Sequence, residues 1–161
     1  MKIPLTLCII HDTQDRKNRV LLGLKKKGFG AGRWNGFGGK LEPGETIEQA
    51  AKREILEESG VTVETLEKMG VMIFEFEGKP DELLEVHIYR AESWSGEPRE
   101  GDEMKPQWFD ISEVPFKNMW PDDKYWLPFF LQGKKFTGRF LFGLKDSIIE
   151  FNLKLVQSFN N

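Results

Sequence analysis

One arginine and three glutamates stand within six residues, Arg53-Glu54-x-x-Glu57-Glu58, in an amphipathic stretch that follows a glycine turn at Gly38-Gly39. Clustered carboxylate oxygens are hard donors, the kind that suit a hard divalent cation. On a helix starting at Ile47, with about 100° per residue, Ala50, Ala51, Glu54 and Glu58 fall in a stripe roughly 100° wide centred on Ile47. Glu57 lies at its edge, while Glu48, Gln49, Lys52 and Ser59 point elsewhere. A run of acids is more often a solvated face, but here the phase puts two carboxylates on the side that otherwise looks core-facing. Burying them is costly unless a cation neutralises them. Thr46 with Gln49 suits a capping box and Gly60 a left-handed C-cap, so both helix ends are marked.

The segment before this helix has its own chemistry. Six glycines fall between Gly28 and Gly39, and glycine lets the backbone turn sharply and approach a ligand closely. Phe29, Trp34 and Phe37 are interleaved with them, which is not the composition of a floppy linker. The expectation is a packed loop close to a ligand. Lys25, just before it, is a candidate phosphate contact, although a lysine at a strand edge is often only a solvated charge.

The elements that must position these groups read as strands with a few isolated helices. Leu5 to Ile10 and Arg19 to Leu24 read as strands joined by a polar turn from His11 to Asn18. Val71 to Phe76 and Leu84 to Tyr89 read as a second hairpin around Gly78-Lys79-Pro80-Asp81. Lys105 to Asp110 is a short strand after the turn-rich stretch Ser93 to Asp102. Asp122 to Gln132 reads as a helix ended by Gly133, with Pro128 inside it. Phe136 to Phe142 and Ile148 to Leu155 form a last hairpin. Strands outnumber helices and the helices are isolated, which predicts an α/β fold with a mixed sheet between helices.

Composition bounds the rest. The 161 residues carry 26 acids against 23 bases, a net charge of -3, which excludes a strongly basic nucleic-acid surface as the default. Cys8 is the only cysteine, so no intramolecular disulfide forms, and a reducing compartment follows. No segment approaches the length of a membrane span, and the start lacks the apolar stretch of a signal peptide. The expectation is one domain over residues 1–161, cytoplasmic with a mitochondrial or nuclear fraction open, monomeric, and without nucleic-acid or membrane partners. His11 and His87 have no second His or Cys at ligand spacing and read as packing residues.

Gly39, Glu45, Arg53, Glu54, Ile55, Glu57, Glu58, Gly60 and Val61 stand at the spacing G-x5-E-x7-R-E-U-x-E-E-x-G-U, where U is apolar. Every defined position matches, and the segment resembles the signature of the Nudix hydrolases. The resemblance implies an α/β/α sandwich with a mixed sheet, and hydrolysis of a nucleoside diphosphate linked to another group with Mg²⁺ or Mn²⁺. It also implies a metal site at Glu54, Glu57 and Glu58 with the carbonyl of Gly38 and the additional acid Glu103. Arg53 is expected to orient the glutamates through charge-assisted hydrogen bonds, and Glu45 to hold the loop or Arg53. Glu54, Glu58 and Glu103 remain alternative proton acceptors.

The resemblance extends beyond the signature, through Lys25 to Lys40, Phe74-Glu75-Phe76, Asp102-Glu103-Met104 and Pro115 to Asp123, to family members that sanitise oxidised purine nucleoside triphosphates. It implies 8-oxo-dGTP and 2-hydroxy-dATP as substrates, with attack at the β-phosphorus releasing the monophosphate and pyrophosphate. Thr6 matches a pocket-lining position. Leu84 stands where those relatives have methionine, and the turn from Asp12 to Asn18 is longer than theirs.

A purine pocket fits the residue types. Phe74 and Phe76 are two apart on a strand and project from one face, though buried core aromatics would look the same. Phe29 and Trp120 add aromatic surface, and base stacking on an aromatic is worth about 1–3 kcal/mol. Asn35 can donate and accept at a base edge. Asp122 and Asp123 suit a helix N-cap, and if they face one slot they can also share a proton. A protonated Asp donates and an ionised one accepts, so the pair could match both 8-oxoguanine and 2-oxoadenine. Two other readings stand beside this one. The proline of ADP-ribose hydrolases and the tyrosine of dinucleoside polyphosphate hydrolases are not present at Phe76 to Lys79, and a non-catalytic nucleotide-binding module would typically have lost signature glutamates.

Overall fold

The computed structural model describes residues 1–159. The order of elements is β1 (Lys2–Asp12), β2 (Arg19–Lys25), β3 (Trp34–Asn35), α1 (Ile47–Ser59), β4 (Glu67–Phe76), β5 (Lys79–Ala91), β6 (Met104–Asp110), α2 (Asp123–Leu131), β7 (Lys135–Phe142) and β8 (Ile148–Val156). All eight strands join one mixed sheet in the order β3-β2-β1-β5-β4-β7-β8, with β6 on β2. The pairs β1–β5 and β4–β7 are parallel and the others antiparallel.

β1 shows why the sheet needs helices on both faces. Its successive residues Cys8, Ile9 and Ile10 are all buried, and in a pleated strand neighbours point to opposite faces. Ile9 joins one core with Met72, Ile88, Phe136 and the α2 residues Trp126, Leu127 and Phe130. Cys8 and Ile10 join the other with Tyr89, Met104 and the α1 residues Ala51 and Ile55. The two cores are separated by the sheet, as the predicted sandwich requires. No helix among the described residues is long and apolar enough to cross a membrane.

Several sequence boundaries move. β1 runs on through His11 and Asp12, which pair with Val20 and Arg19, so the first turn is shorter than expected. In the second hairpin, Lys79 to Asp81 belong to β5 rather than to the turn; a register shift between Glu75 and Phe76 absorbs the extra residues. The glycine segment divides in two. Trp34 and Asn35 pair with β2 as β3, and the chain then follows β1 through isolated Cys8↔Phe37 and Leu5↔Lys40 bridges, with Phe37 fully buried. The half from Lys26 to Gly32 is mostly exposed: Gly28, Gly30 and Gly32 all take positive φ, and Phe29, 66% exposed, rests against Trp120 and Phe76.

Helix α1 forms as its caps predict. Thr46 accepts from the Gln49 amide and the Gln49 side chain accepts from the Thr46 amide, while Gly60 closes the helix in the left-handed region. Its phase is rotated from the expectation. Ser59 is buried, donating to the Ile55 carbonyl, and the core face is Ala50, Ala51, Ile55 and Ser59. Glu54 and Glu58 therefore flank the buried face instead of crowning it. The apolar packing of Ile55 decides the rotation, because burying an Ile side chain is worth about 1.5–3 kcal/mol while burying a carboxylate costs stability.

Candidate active site

Two depressions meet at one end of the sheet. The first is a carboxylate cleft of about 340 Å³ lined by Lys27, Glu54, Glu57, Glu58, Gly101, Asp102, Glu103 and Met104. The second is an apolar pocket of about 200 Å³ whose lining includes Leu5, Leu7, Phe74, Phe76, Leu84, Trp120, Asp122, Asp123, Trp126 and Phe142. Glu58 and Met104 line both.

The cleft is assembled from α1 and the start of β6. Lys25 pairs with Met104 across β2 and β6, and the Lys26 amide donates to the Glu103 carbonyl at 2.8 Å. That pairing brings Glu103 to the glutamates of α1. Arg53 organises the helix side. Its Nε and Nη2 donate to Glu45 at 2.7 and 2.9 Å, a bidentate pair, and its Nη1 donates to Glu54 at 2.8 Å and Glu57 at 3.3 Å. Nη2 also donates to the Lys40 carbonyl at 3.1 Å, and Glu45 accepts from the Glu42 amide at 2.7 Å. Glu45 thus holds both the loop and Arg53.

Gly38 joins the glycine segment to the helix. Its amide donates to Glu58 Oε1 at 2.8 Å. A Cβ at this position would stand 1.7 Å from the Thr6 carbonyl oxygen, so only glycine allows the close approach of the two backbones. Burial pushes the Glu58 carboxyl up to about 8, against the pull of the Gly38 amide and Lys25. Burial also raises Glu54, tempered by Arg53.

The expected ligand set is looser than a finished metal site. Among the described residues no three carboxylates, histidines or cysteines stand close enough together to hold an ion as they are. Glu54 is drawn to Arg53, Glu58 to the Gly38 amide, and Glu57 is exposed. The contact of Gly38 with the cluster runs through its N–H. Even so, the donor chemistry fits a hard cation: four glutamates and Asp102 supply only oxygen, and a divalent ion would offset the burial that disfavours the ionised forms of Glu54 and Glu58.

The apolar pocket draws on one face of the sheet. Leu5 pairs with Val86 and Leu7 with Ile88 between β1 and β5, Phe74 faces Leu84, and Phe76 faces Phe142 across β4 and β7. Phe74 and Phe76 are half-buried pocket walls rather than core. Trp120 closes the side, with its ring centroid 6.2 Å from Phe76 and 5.7 Å from Phe142. Lys25, Asn35, Thr6, Phe29 and Gly38 also line it. Asn35 Oδ1 is taken by the Gly36 amide at 2.9 Å, so its NH₂ is the end left for a ligand. The Thr6 hydroxyl lies 3.4 Å from both the amide and the carbonyl of Gly39.

Asp122 and Asp123 stand at the back of the pocket, each 3% exposed. The N-cap expectation fails for Asp122, whose side chain makes no capping bond and instead accepts from Trp126 Nε1 at 2.7 Å. Burial raises both carboxyls, and Asp122 lifts Asp123 further. Asp123 Oδ2 is buried without a partner. Burial and this coupling favour a protonated form of the pair.

Other singled-out residues pack as expected. His11 is buried against Phe130 and bonded to Asn18 at 2.7 Å. His87 is bonded to Glu85 at 3.0 Å, and burial lowers its pKa. Burial pushes the Cys8 thiol up to about 12, which leaves it inert. Sequence reasoning missed Lys27 and Asp102 in the cleft and Phe142 and Trp126 in the pocket. Phe142 could have been found from the strand parity that also selects Phe140; Lys27 sits in no pattern that marks it.

Residues 1–130 match the family model described as NUDIX domain. The chain is 58% identical over 141 residues to the oxidized purine nucleoside triphosphate hydrolase of Mus musculus, spanning 88% of this chain and 90% of that one. It is 60% identical over 139 residues to the protein of the same name from Danio rerio, spanning 86% and 88%. Among solved structures, it superposes on the MutT protein from Bacillus halodurans with a TM-score of 0.81 at 29% identity, over 94% of this chain and 97% of that one.

Proposed function

The chain belongs to the NUDIX domain family, and from that premise we propose that it hydrolyses oxidised purine nucleoside triphosphates to the monophosphate and pyrophosphate. The substrates in this reading are 8-oxo-dGTP, 2-hydroxy-dATP and related purines, and the consequence is a nucleotide pool cleared of bases that mispair. The observation that carries it is the shared boundary at Glu58. An apolar pocket with a protonatable Asp pair opens directly onto a cleft of carboxylates, so a base in the first places its phosphates at the second.

Members of this family generally use divalent metal ions, and here Glu54, Glu57, Glu58 and Glu103 would hold one, with Mg²⁺ proposed ahead of Mn²⁺. Such an ion, when bound, neutralises phosphate charge and lowers the pKa of a water. The protein's own share is positioning. Arg53 keeps Glu54 and Glu57 aligned through its fork while Glu45 anchors its other edge. Glu54, Glu58 and Glu103 are the carboxylates that can take the proton of the attacking water. Phe74, Phe76 and Trp120 sandwich the base and exclude water, and the NH₂ of Asn35 donates to its edge. Asp122 and Asp123 read the base by moving one proton between donor and acceptor forms. Lys25, the last residue of β2, faces the phosphates from the pocket side.

The relatives' printed names support the substrate class, and the donor set supports the metal. In this reading the protein acts as a monomer on a small molecule, in the cytoplasm. Pyrophosphate release from 8-oxo-dGTP with Mg²⁺, measured against dGTP, tests the reading. A strong preference for the oxidised base is expected. Equal rates on dGTP would remove the sanitising role, and binding without turnover would make the protein a nucleotide-binding module.

A further inference from the structure

The aromatic wall of the pocket is held from outside by an ion pair whose two members do not line the pocket. Arg33 is the last residue of the glycine loop before β3, and its Cζ stands 4.2 Å from the centroid of the Trp120 ring. Its Nη1 donates to Asp146 Oδ2 at 2.8 Å, across 113 residues of sequence. Asp146 lies in the turn between β7 and β8, where Lys145 and Asp146 take φ of 55° and 58°. Two consecutive non-glycine residues in the left-handed region are uncommon, and such backbone persists where surrounding contacts determine it. Here it aims Asp146 at Arg33.

Trp120 needs that support. It sits in an irregular turn between the short 3-10 helix at Phe116–Asn118 and α2, so no strand pairing fixes its ring. Inside, it meets only ring edges and tilted planes of Phe29, Phe76 and Phe142. A guanidinium suits the outer face because it can lie over an indole and bind a carboxylate at once, which an ammonium cannot. The pair is 27% and 33% exposed, and an ion pair that open contributes little to stability. Its effect is therefore on where the indole stands.

We propose that the Arg33–Asp146 pair is a positioning device that clamps Trp120 from its outer face, so that its inner face meets every purine in one fixed plane. The proposal rests on the reading of the aromatic pocket as the purine site. Discrimination between oxidised and normal bases belongs to Asp122 and Asp123; the clamp acts on stacking, which all purines share. Breaking the pair at Asp146 weakens both classes by the same factor, whereas Arg33 also lowers the pKa of both aspartates, so its removal acts on the reading of the base as well.

The test compares the wild type with Asp146→Asn, Arg33→Met and the double variant. Asparagine tolerates a positive φ and keeps the shape of Asp, and Met keeps an apolar stem. KM and kcat are measured for 8-oxo-dGTP and dGTP, and the Kd of 8-oxo-dGMP by calorimetry. Each single variant is expected to raise KM and Kd about fivefold for both bases, with kcat within about twofold. The double variant should be no worse than Arg33→Met, since both changes break one interaction. Asp146→Glu should return KM toward the wild type. Arg33→Lys, which keeps a charge but not the stacked plane, gives an intermediate KM and replaces Arg33→Met if that variant does not fold. Unchanged KM and Kd in the single variants, a fall in kcat alone, or a change in the ratio between the two bases in Asp146→Asn overturns the clamp. A wild-type enzyme without preference for 8-oxo-dGTP fails the functional reading instead, and that is visible before any variant is made.

Discussion

The cleft and the pocket each gather carboxylates, yet the surroundings of the two groups are opposite. In the cleft, Glu54 is paired with Arg53, Glu58 accepts from a backbone amide, and Glu57 and Glu103 reach solvent. In the pocket, Asp122 and Asp123 are each 3% exposed, with an indole N–H and one another as company. The glutamates are therefore placed to meet an external cation, which would favour the ionised forms that burial opposes at Glu54 and Glu58, while burial and coupling favour a protonated form in the aspartates. The same functional group takes two roles because burial and partners differ. The carboxylate at the boundary between them is Glu58, which is half-buried and hydrogen-bonded to a backbone amide.

The comparison breaks most visibly if Glu58 is neutralised. Glu58→Gln keeps the shape and the bond from Gly38, and removes one negative charge from the cleft. Turnover of 8-oxo-dGTP should fall on the order of 10³-fold, the scale of losing a group that stabilises charge in the transition state, while the Kd of 8-oxo-dGMP changes little. A variant that keeps more than a tenth of wild-type kcat would place the decisive carboxylate elsewhere, with Glu103 the next to test.

Asp123→Asn should act on the other side. It leaves turnover chemistry in place but fixes a donor where a proton was mobile. The kcat/KM preference for oxidised over normal purines should shrink about 10- to 100-fold, because a base edge is left against a mismatched buried group. Equal loss on all purines, without a change in preference, would mean that the aspartates shape the pocket and do not read the base.

The two regions also share a liability that pH exposes. Glu58 and Asp123 both have their pKa raised by burial above the ordinary carboxylate value. A carboxyl raised in the folded state contributes stability that is fully present below its unfolded value, about 4, and lost as pH rises through its folded value, about 8 for Glu58. The wild-type urea midpoint should therefore fall between these limits. Glu58→Gln should flatten the fall and be more stable than wild type at pH 8 by about 1–2 kcal/mol after solvent screening. Mg²⁺ should restore the wild type at that pH and EDTA reverse it, with the variant responding less. Parallel curves for the two proteins would show that Glu58 is already relieved in the free enzyme.

What could be read before folding follows the same divide. The cleft was legible because one helix carries most of it: capping residues, spacing and charge lie in one continuous segment, Thr46 to Gly60. Even there the phase was misjudged, because counting angles from Ile47 gives no weight to the packing of Ile55 and Ser59, which turned the glutamates to the rim. The pocket is drawn from β1, β4, β5, β7 and the turn before α2, and its partners are set by register. Phe76 facing Phe142, or Arg33 meeting Asp146, depends on pairings that no local pattern specifies. The strand alternation of Phe74 and Phe76 was visible, but whether they faced core or ligand was not. The glycine segment read as one packed loop splits into a more buried half and an exposed half, since pairing with β2 at residues 34–35 and with β1 at Phe37 and Lys40 holds only the second half.

Phe29 gives the smallest effect and the finest test of the divide. Its ring centroid lies 5.1 Å from Trp120 and 5.7 Å from Phe76, yet it is 66% exposed, and its neighbours Gly28 and Gly30 have no side chains to pin it. In this geometry it contributes one solvent-facing edge contact, so Phe29→Ala should raise KM only about twofold to threefold, with kcat unchanged. Phe76→Ala, measured alongside, should cost more because its ring is stacked on Phe142 at 5.2 Å as well as lining the pocket. If the two substitutions cost the same, Phe29 must gain contacts that the free protein lacks. The loop from Lys26 to Gly32 would then fold down over the base on binding, and the outer edge of the pocket would be completed by the substrate. A small effect keeps the opposite picture, in which the base enters a wall already set by Trp120 and the strands beneath it.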